Sequence, residues 1–373
     1  MVTSSVLANR GDEAMLRVVV GQLRLRGVDP VTVLYSGQDS LSDLEASEEH
    51  RDLAAFFASS QCYQETMEVI CLLARHEHVL VIGADVLDGT YGVGRTQQNL
   101  RLLEFADRLG LSARICGFSV SDVPAGSVAE AYRSVPDSVR LFVRDPLSRS
   151  RLEQLLPGRC EQVADLAFLL EPADPEEMPA DLRMHLVEGP PPIAFCASRH
   201  LMGEDASRQD ALADAAGLLA ERLESSILLV PHHPGDLPLL DRMRERIEQV
   251  VHGRAYRTGL LPAAVVKRVL GSCRHVISGR MHTSIAALGM ARPVTCLPYR
   301  GKFRGMLSLF DLDDAVLDDA EVPHEPASIC DVLTARVSAG EAEISRITDK
   351  LEGVRELALR NFDGLDWRAS VHG

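Results

Sequence analysis

Short apolar runs alternate along this chain with longer stretches whose apolar residues recur at helical spacing. Residues 2–7, 31–35, 79–82, 112–118 and 139–143 read as strands, because they are compact apolar runs bounded by polar or glycine-containing turns. Between them, helices are expected from Asn9 to about Leu25, through the stretch ending near Arg75, and over 97–109 and 146–155. A further strand end stands at Val163-Ala164-Asp165. After a gap the alternation resumes. Strands are expected at 193–197, 227–230, 276–277 and 294–297, and helices at 207–223, 237–251, 262–270 and 284–290, with a short one near Leu307. A long amphipathic helix closes the pattern at about 339–359. Strands that alternate with helices predict parallel sheets covered on both faces. In such sheets ligands sit at the carboxyl ends of strands.

The gap between the two series, 171–192, is rich in proline and acidic residues, EPADPEEMPADLRMHLVEGPPP, and reads as a linker. The predicted organisation is an N-terminal Rossmann-like domain over 1–172, a linker over 173–192 and a second Rossmann-like domain over 193–338. Residues 339–373 form a C-terminal helical segment that packs back on the first domain, since the last helix has no evident partner in the second.

Composition narrows the function. The chain has 373 residues, long enough for two cores. Its net charge of −15 argues against nucleic acid or a polybasic membrane patch as partner. Local anion sites survive such a balance. No stretch approaches the roughly 20 apolar residues of a spanning helix, and the N-terminal residues lack the pattern of a secretion signal. The eight cysteines are scattered without a CxxC pair, as expected of reduced, buried thiols in a cytoplasmic protein.

Three polar clusters follow three apolar strands of the second series: Ser198-Arg199-His200, His232-His233 and Ser278-Gly279-Arg280-Met281-His282. The last has the strongest chemistry. A strand ending in Ser-Gly before a helix directs backbone N–H groups at an anion. Arg280 adds a bidentate clamp and His282 a group that titrates near neutrality. Arg199 and Lys302 suit a ligand with both carboxylate and phosphate. In the first series the strand-end polar residues are Asn9, Asp12, Asp85, Arg144 and Asp165, each equally readable as a cap or turn residue. No HExxH or comparable ligand spacing is present, so no metal is expected. Neither a Gly-Lys-Ser/Thr phosphate loop nor a GxGxxG turn after the first strand is present, so neither a Walker ATPase nor an ordinary NAD enzyme is favoured.

Six segments, in order, resemble the polysaccharide pyruvyl transferase family. They are Asn9-Arg10-Gly11-Asp12-Glu13-Ala14, Val81-Ile82-Gly83, Phe142-Val143-Arg144-Asp145-Pro146-Leu147-Ser148, Ala164-Asp165-Leu166-Ala167-Phe168, Ser278-Gly279-Arg280-Met281-His282, and Arg292-Pro293-Val294 with Pro298-Tyr299 and Lys302. The resemblance implies a GT-B-like α/β fold, with two Rossmann-like doubly wound domains and a C-terminal helix crossing back. It implies transfer of the pyruvyl group of phosphoenolpyruvate onto two hydroxyls of a sugar or a lipid- or nucleotide-linked glycan, giving a cyclic ketal and phosphate in cell-envelope polysaccharide synthesis. Phosphoenolpyruvate is then the donor substrate and no cofactor is expected. A homo-oligomer is compatible with the sequence.

On this reading His282 is the general acid/base and His233 a second candidate. Arg280 and Arg199 bind carboxylate and phosphate, with Lys302, Tyr299, Ser278 and Gly279 completing the donor side. Asp85, Asp88, Asp12 and Asn9 face the acceptor, with Asp85 a candidate base. The sequence departs from the family pattern where a Gly-Gly-Gly loop is common: here Gly83-Ala84-Asp85 continues into Val86-Leu87-Asp88-Gly89. Leu166 replaces the proline of the D-P-A-F element, and Gly117-Phe118-Ser119-Val120-Ser121-Asp122 weakens another glycine-rich pattern. The rival readings are a nucleotide-sugar glycosyltransferase or epimerase on the same fold, and a non-catalytic binding protein derived from it.

Overall fold

The computed structural model describes the whole chain except residues 4–7, 29–30, 36–49, 53–62, 85–86, 91, 188, 202–204, 298–302 and 366–373. Asp85, Tyr299 and Lys302, each expected at the site, lie outside the described residues. The chain divides into two compact units. The first comprises Met1–Ala8, Asp12–Leu169 and Arg355–Gly373, the second Asn9–Gly11 and Leu170–Val354.

The first unit holds seven strands: β1 (Val2–Thr3), β2 (Val33–Tyr35), β3 (His50–Asp52), β4 (His78–Ala84), β5 (Ser112–Phe118), β6 (Arg140–Val143) and β7 (Cys160–Gln162). They pair in the order β3-β2-β1-β4-β5-β6-β7, every pair parallel. The order reverses between β1 and β4, which makes their carboxyl ends the switch point of the sheet. The central strands are mostly apolar because helices cover both faces, with Arg114 of β5 a buried exception. Val79, Val81, Ile115, Leu141 and Val143 are wholly buried in one cluster with Leu100 and Leu103 of the helix Val93–Arg108.

The second unit holds β8 (Ile193–Cys196), β9 (Ile227–Leu229), β10 (Ala255–Arg257), β11 (His275–Ser278) and β12 (Val294–Cys296). They run parallel in the order β10-β9-β8-β11-β12, with the switch point between β8 and β11. The stretch read as a linker carries structure of its own, a 3-10 turn at Pro175–Glu177 and a helix at Ala180–Val187. Proline favours the first turn of a helix as readily as it breaks one. The short strands β3 and β10 were not apparent from the apolar pattern.

The last helix runs over Pro326–Leu359, 34 residues, beginning well before the expected start. Ile329, Cys330, Leu333 and Val337 join the second core. From Arg355 onward the chain belongs to the first unit. There Asn361, fully buried, donates from Nδ2 to the carbonyl of Ala164 at 3.1 Å. Buried Arg114 donates to the carbonyls of Asn361 and Asp363 at 3.1 and 2.9 Å. The C-terminal segment is thus held to the first sheet by a side chain in β5 and by the strand end at Ala164. No helix among the described residues is long and apolar enough to cross a membrane. Of the cysteines in the described residues, Cys71 is exposed and the other six are buried and free.

Two features of the fold have measurable consequences. His275, at the start of β11, is fully buried, with Nε2 2.8 Å from Thr295 Oγ1. The long helix approaches it at Gly340, where a Cβ would fall 2.6 Å from His275 Nδ1. Burial first, then the charges of Arg336 and Arg274, push the imidazole down to about 3. The folded protein therefore refuses a proton that the unfolded chain accepts below about 6.5. Stability is unaffected above that pH and falls as pH drops below it. By pH 5 this one group costs about 2 kcal/mol, and the loss of unfolding free energy between pH 7.5 and 5, from urea titrations, should shrink by about that amount in His275→Gln. An unchanged acid slope would contradict it. The second feature is Ala84, the last residue of β4, which is held at φ 45°. A side chain in the left-handed region is strained and glycine is not. Ala84→Gly should raise the unfolding free energy by about 0.5–1 kcal/mol, and a neutral or destabilised variant would show that Ala84 is at ease.

Candidate functional site

The carboxyl ends of β8, β9 and β11 lie side by side in the second sheet, and one residue ties them together. Asp236 follows β9 in the 3-10 turn Pro234–Asp236 and has no solvent exposure. Its Oδ2 accepts the backbone N–H of His232 at 3.3 Å and of His233 at 3.0 Å. Its Oδ1 accepts the N–H of Arg199, after β8, at 3.4 Å. The same oxygen pairs with Nη2 of Arg280, after β11. A carboxylate is stable in such a place only when its lone pairs are met and its charge is countered. Three N–H donors and a guanidinium do both.

Arg280 is the Ncap of the helix Met281–Leu288, and its side chain is 17% exposed. Asp236 holds it by one nitrogen. Its Nε is buried without a hydrogen-bond partner. Ser278 builds the turn. Its hydroxyl donates to the Arg280 carbonyl at 2.7 Å, accepts the Arg280 N–H at 3.0 Å, and meets the hydroxyl of Thr283. It is wholly buried, and its hydroxyl shapes the turn. Gly279 is closely packed. A Cβ there would fall 3.0 Å from Leu201 Cδ1 and 3.5 Å from the Ser198 nitrogen.

The histidines divide sharply. His232 is 4% exposed, and both its ring nitrogens lack hydrogen-bond partners. Its ring stacks on that of His282, centroids 6.2 Å apart and planes 12° apart. Burial, then Arg280 and His282, hold His232 far below the usual histidine range, so its ring is neutral. His233 accepts the Gly235 N–H on Nδ1 at 2.9 Å and caps its own turn. That bond needs the Nδ1 lone pair, which leaves Nε2 as the proton-carrying atom. Arg199 is exposed and donates from Nε to His200 Nε2 at 3.0 Å. The second unit thus brings together Arg280, His282, His233 and Arg199, as the residue pattern suggests. It adds Asp236, which sequence reasoning did not single out, and gives His232, read from sequence only as part of the His232-His233 cluster, a defined place against His282. The signal for Asp236 was the run His233-Pro234-Gly235-Asp236, a carboxylate one turn past a strand end, but its ion-pair partner lies 44 positions away.

In the first unit several candidates bond to neighbouring groups of the fold. Asp88, after β4, accepts the N–H of Thr90 at 2.9 Å and, on its other oxygen, the N–H and hydroxyl of Ser121 at 3.0 and 2.6 Å. It joins the loops after β4 and β5. Asp12 is 7% exposed, and its charge favours the protonated Arg95 guanidinium, which burial disfavours. Arg144 and Asp165 form a buried pair at 2.7 Å, and Arg144 also donates to Ser119 at 2.7 Å. Asp145 caps the helix Pro146–Glu153, accepting from the Ser148 nitrogen at 2.8 Å and hydroxyl at 2.7 Å. Asn9 belongs to the second unit and accepts the Gly11 N–H at 3.0 Å, an Asx turn at a helix start. Among the described residues, no group of three or more His, Cys, Asp or Glu side chains is arranged to hold a metal ion.

Comparison with known proteins agrees with this architecture. Among solved structures, the S. aureus MnaA–UDP co-structure aligns with a TM-score of 0.66 at 12% identity, over 96% of this chain and 93% of that one. The UDP-GlcNAc 2-epimerase of Neisseria meningitidis bound to UDP-GlcNAc gives 0.60 at 12% identity, over 96% of each chain. A glycosyltransferase from Rickettsia africae gives 0.60 at 13% identity, over 97% of this chain and 98% of that one. Likeness at such identities is a likeness of fold: two parallel-sheet α/β units with a terminal helix crossing back, the GT-B type. A search of curated protein sequences finds no significant match. The family model for polysaccharide pyruvyl transferase matches residues 9–301, which takes in the Asp12 turn, the Arg144 pair and the Arg280–His282 turn. The chain therefore belongs to the polysaccharide pyruvyl transferase family.

Proposed function

We propose that this protein transfers the pyruvyl group of phosphoenolpyruvate onto two hydroxyls of a sugar or glycan acceptor, forming a cyclic ketal and releasing phosphate. The observation that carries the reading is Arg280, anchored through one nitrogen by buried Asp236 and beside His282, at the switch point of the second sheet. Donor recognition would fall to Arg280 and Arg199 on carboxylate and phosphate, with Lys302 and Tyr299 as further contacts. The helix Met281–Leu288 begins at Arg280 and adds its terminal field.

The chemistry asks for a proton at carbon. His282 would protonate the methylene carbon of the enol, leaving C2 as a cation stabilised by its phosphate oxygen. One acceptor hydroxyl adds to C2 and loses its proton. Phosphate then leaves with the C–O bonding pair, and the second hydroxyl closes the ring, losing its own proton. One proton ends on the methyl group and one on phosphate, so the balance closes without an oxidant or reductant. Protonation of carbon is slow, so a positioned acid and fixed counter-charges carry the acceleration. His233 is the second candidate for proton transfer, through Nε2. Asp85, Asp88, Asp12 and Asn9 are the candidates for orienting the acceptor, with Asp85 its base. Cytoplasmic action in cell-envelope glycan synthesis follows from the same reading.

Purified protein given phosphoenolpyruvate and sugar diols should release phosphate and add the mass of a pyruvyl ketal to one of them. His282→Ala should lower kcat by roughly 10²–10⁴-fold with the fold retained. Full turnover in that variant would remove His282 from the role of acid. Thermal stabilisation by UDP but not by phosphoenolpyruvate would instead support nucleotide-sugar chemistry on this fold. Asp236→Asn keeps the shape but weakens the hold on Arg280. It should lower kcat/KM for phosphoenolpyruvate by about 10–100-fold, measured by phosphate release, and wild-type efficiency would show that Arg280 needs no anchor.

A further inference from the structure

His232 has a cost and no visible return within the fold. Its ring is buried, yet neither nitrogen has a hydrogen-bond partner. A leucine or phenylalanine would fill the space without stranding two polar atoms, so a purely structural account leaves the imidazole unexplained. What the ring does have is a neighbour: it lies nearly parallel to the ring of His282 at a stacking distance. Its main chain is fixed as well, since the His232 N–H is bonded to the carboxylate of Asp236 that also holds Arg280.

We propose that His232 is a positioning residue for His282, providing the flat wall on which the proton-carrying imidazole is held. The inference rests on the reading of His282 as the proton carrier. With neither nitrogen engaged, the side chain acts through its face. The groups around it keep that face uncharged: burial first, then Arg280 and His282 from the loop after β11, Arg10, and the adjacent His233 all disfavour a proton on it. Only the backbone N–H, at Asp236, meets a negative charge. A neutral ring can stand against an imidazolium without competing for its proton. Two adjacent cations in so little water could not. One imidazole therefore moves the proton while the other sets its orientation.

The test separates ring from nitrogen. His232→Phe keeps the wall and removes the stranded nitrogens. Its Tm should equal or exceed that of the wild type, its kcat should stay within about three-fold, and its pH–rate profile should overlay the wild type. His232→Leu removes the wall. It should lose roughly ten-fold or more in kcat while KM for phosphoenolpyruvate changes little, because Asp236 still holds Arg280. In the free protein, the ring protons of His282 should show a ring-current shift by NMR that persists in His232→Phe and is lost in His232→Leu. Loss of kcat in His232→Phe as large as in His232→Leu, or a displaced acidic limb in its profile, would mean that the nitrogens act, and the proposal would fall. It would fall equally if the His282 shift survived in His232→Leu. The NMR measurement needs no substrate. Absence of pyruvyl transfer in the wild type would therefore defeat the functional reading without deciding this arm.

Discussion

A carboxylate without solvent exposure organises the second unit. Removing Asp236 from water costs several kcal/mol unless its charge and lone pairs are met, and they are met by groups from three different strand ends. The consequence runs in both directions. The loops after β8, β9 and β11 are fixed relative to one another because each gives a donor to the same two oxygens. Arg280, whose long side chain would otherwise sample many rotamers, is held in one arrangement before any ligand arrives. The entropy of ordering it falls on folding and not on binding, which favours both affinity and orientation.

The first unit uses the same device to a different end. Arg144 and Asp165 pair at the carboxyl ends of neighbouring strands, much as Arg280 and Asp236 do. Arg144, however, is 3% exposed, and its terminal nitrogens are committed to Asp165 and Ser119. Arg280 keeps more exposure and an unmatched Nε. An arginine whose donors are engaged within the fold is scaffold. One that keeps some exposure at the switch point of a sheet is the residue to which the proposed function gives ligand binding. That difference, and not the identity of either ion pair, separates the motif at Arg144 from the motif at Arg280.

The contrast also explains what the sequence could disclose. The central strands were legible because both faces are buried and they carry compact apolar runs, as residues 79–82 in β4 and Val276-Ile277 in β11. β10 was not, because its three half-buried residues carry no such run. The turn at Ser278–His282 was legible because its chemistry is contiguous. Asp236 was not, since nothing local marks a carboxylate whose partners come from three loops. The pair His232-His233 shows the limit most plainly. Adjacent residues of an extended segment point to opposite sides, and His233 is extended, with φ −145° and ψ 148°. One histidine must turn inward and the other toward its own turn. Residue order alone does not say which.

Net charge and local anion binding act on different scales. A chain at −15 repels anions at long range, and the reading advanced for it requires one to bind. The two are compatible because they act over different distances. Exposed charges are screened within about 8 Å at physiological salt. A partly buried guanidinium, a helix terminus and backbone N–H groups act at contact, where screening is weak. Asp236 does not cancel this field. It sits on one side of Arg280 with its oxygens already met by donors. Net charge bears on large partners at long range, whereas on the proposed reading the Arg280–Asp236 pair bears on small ones at contact.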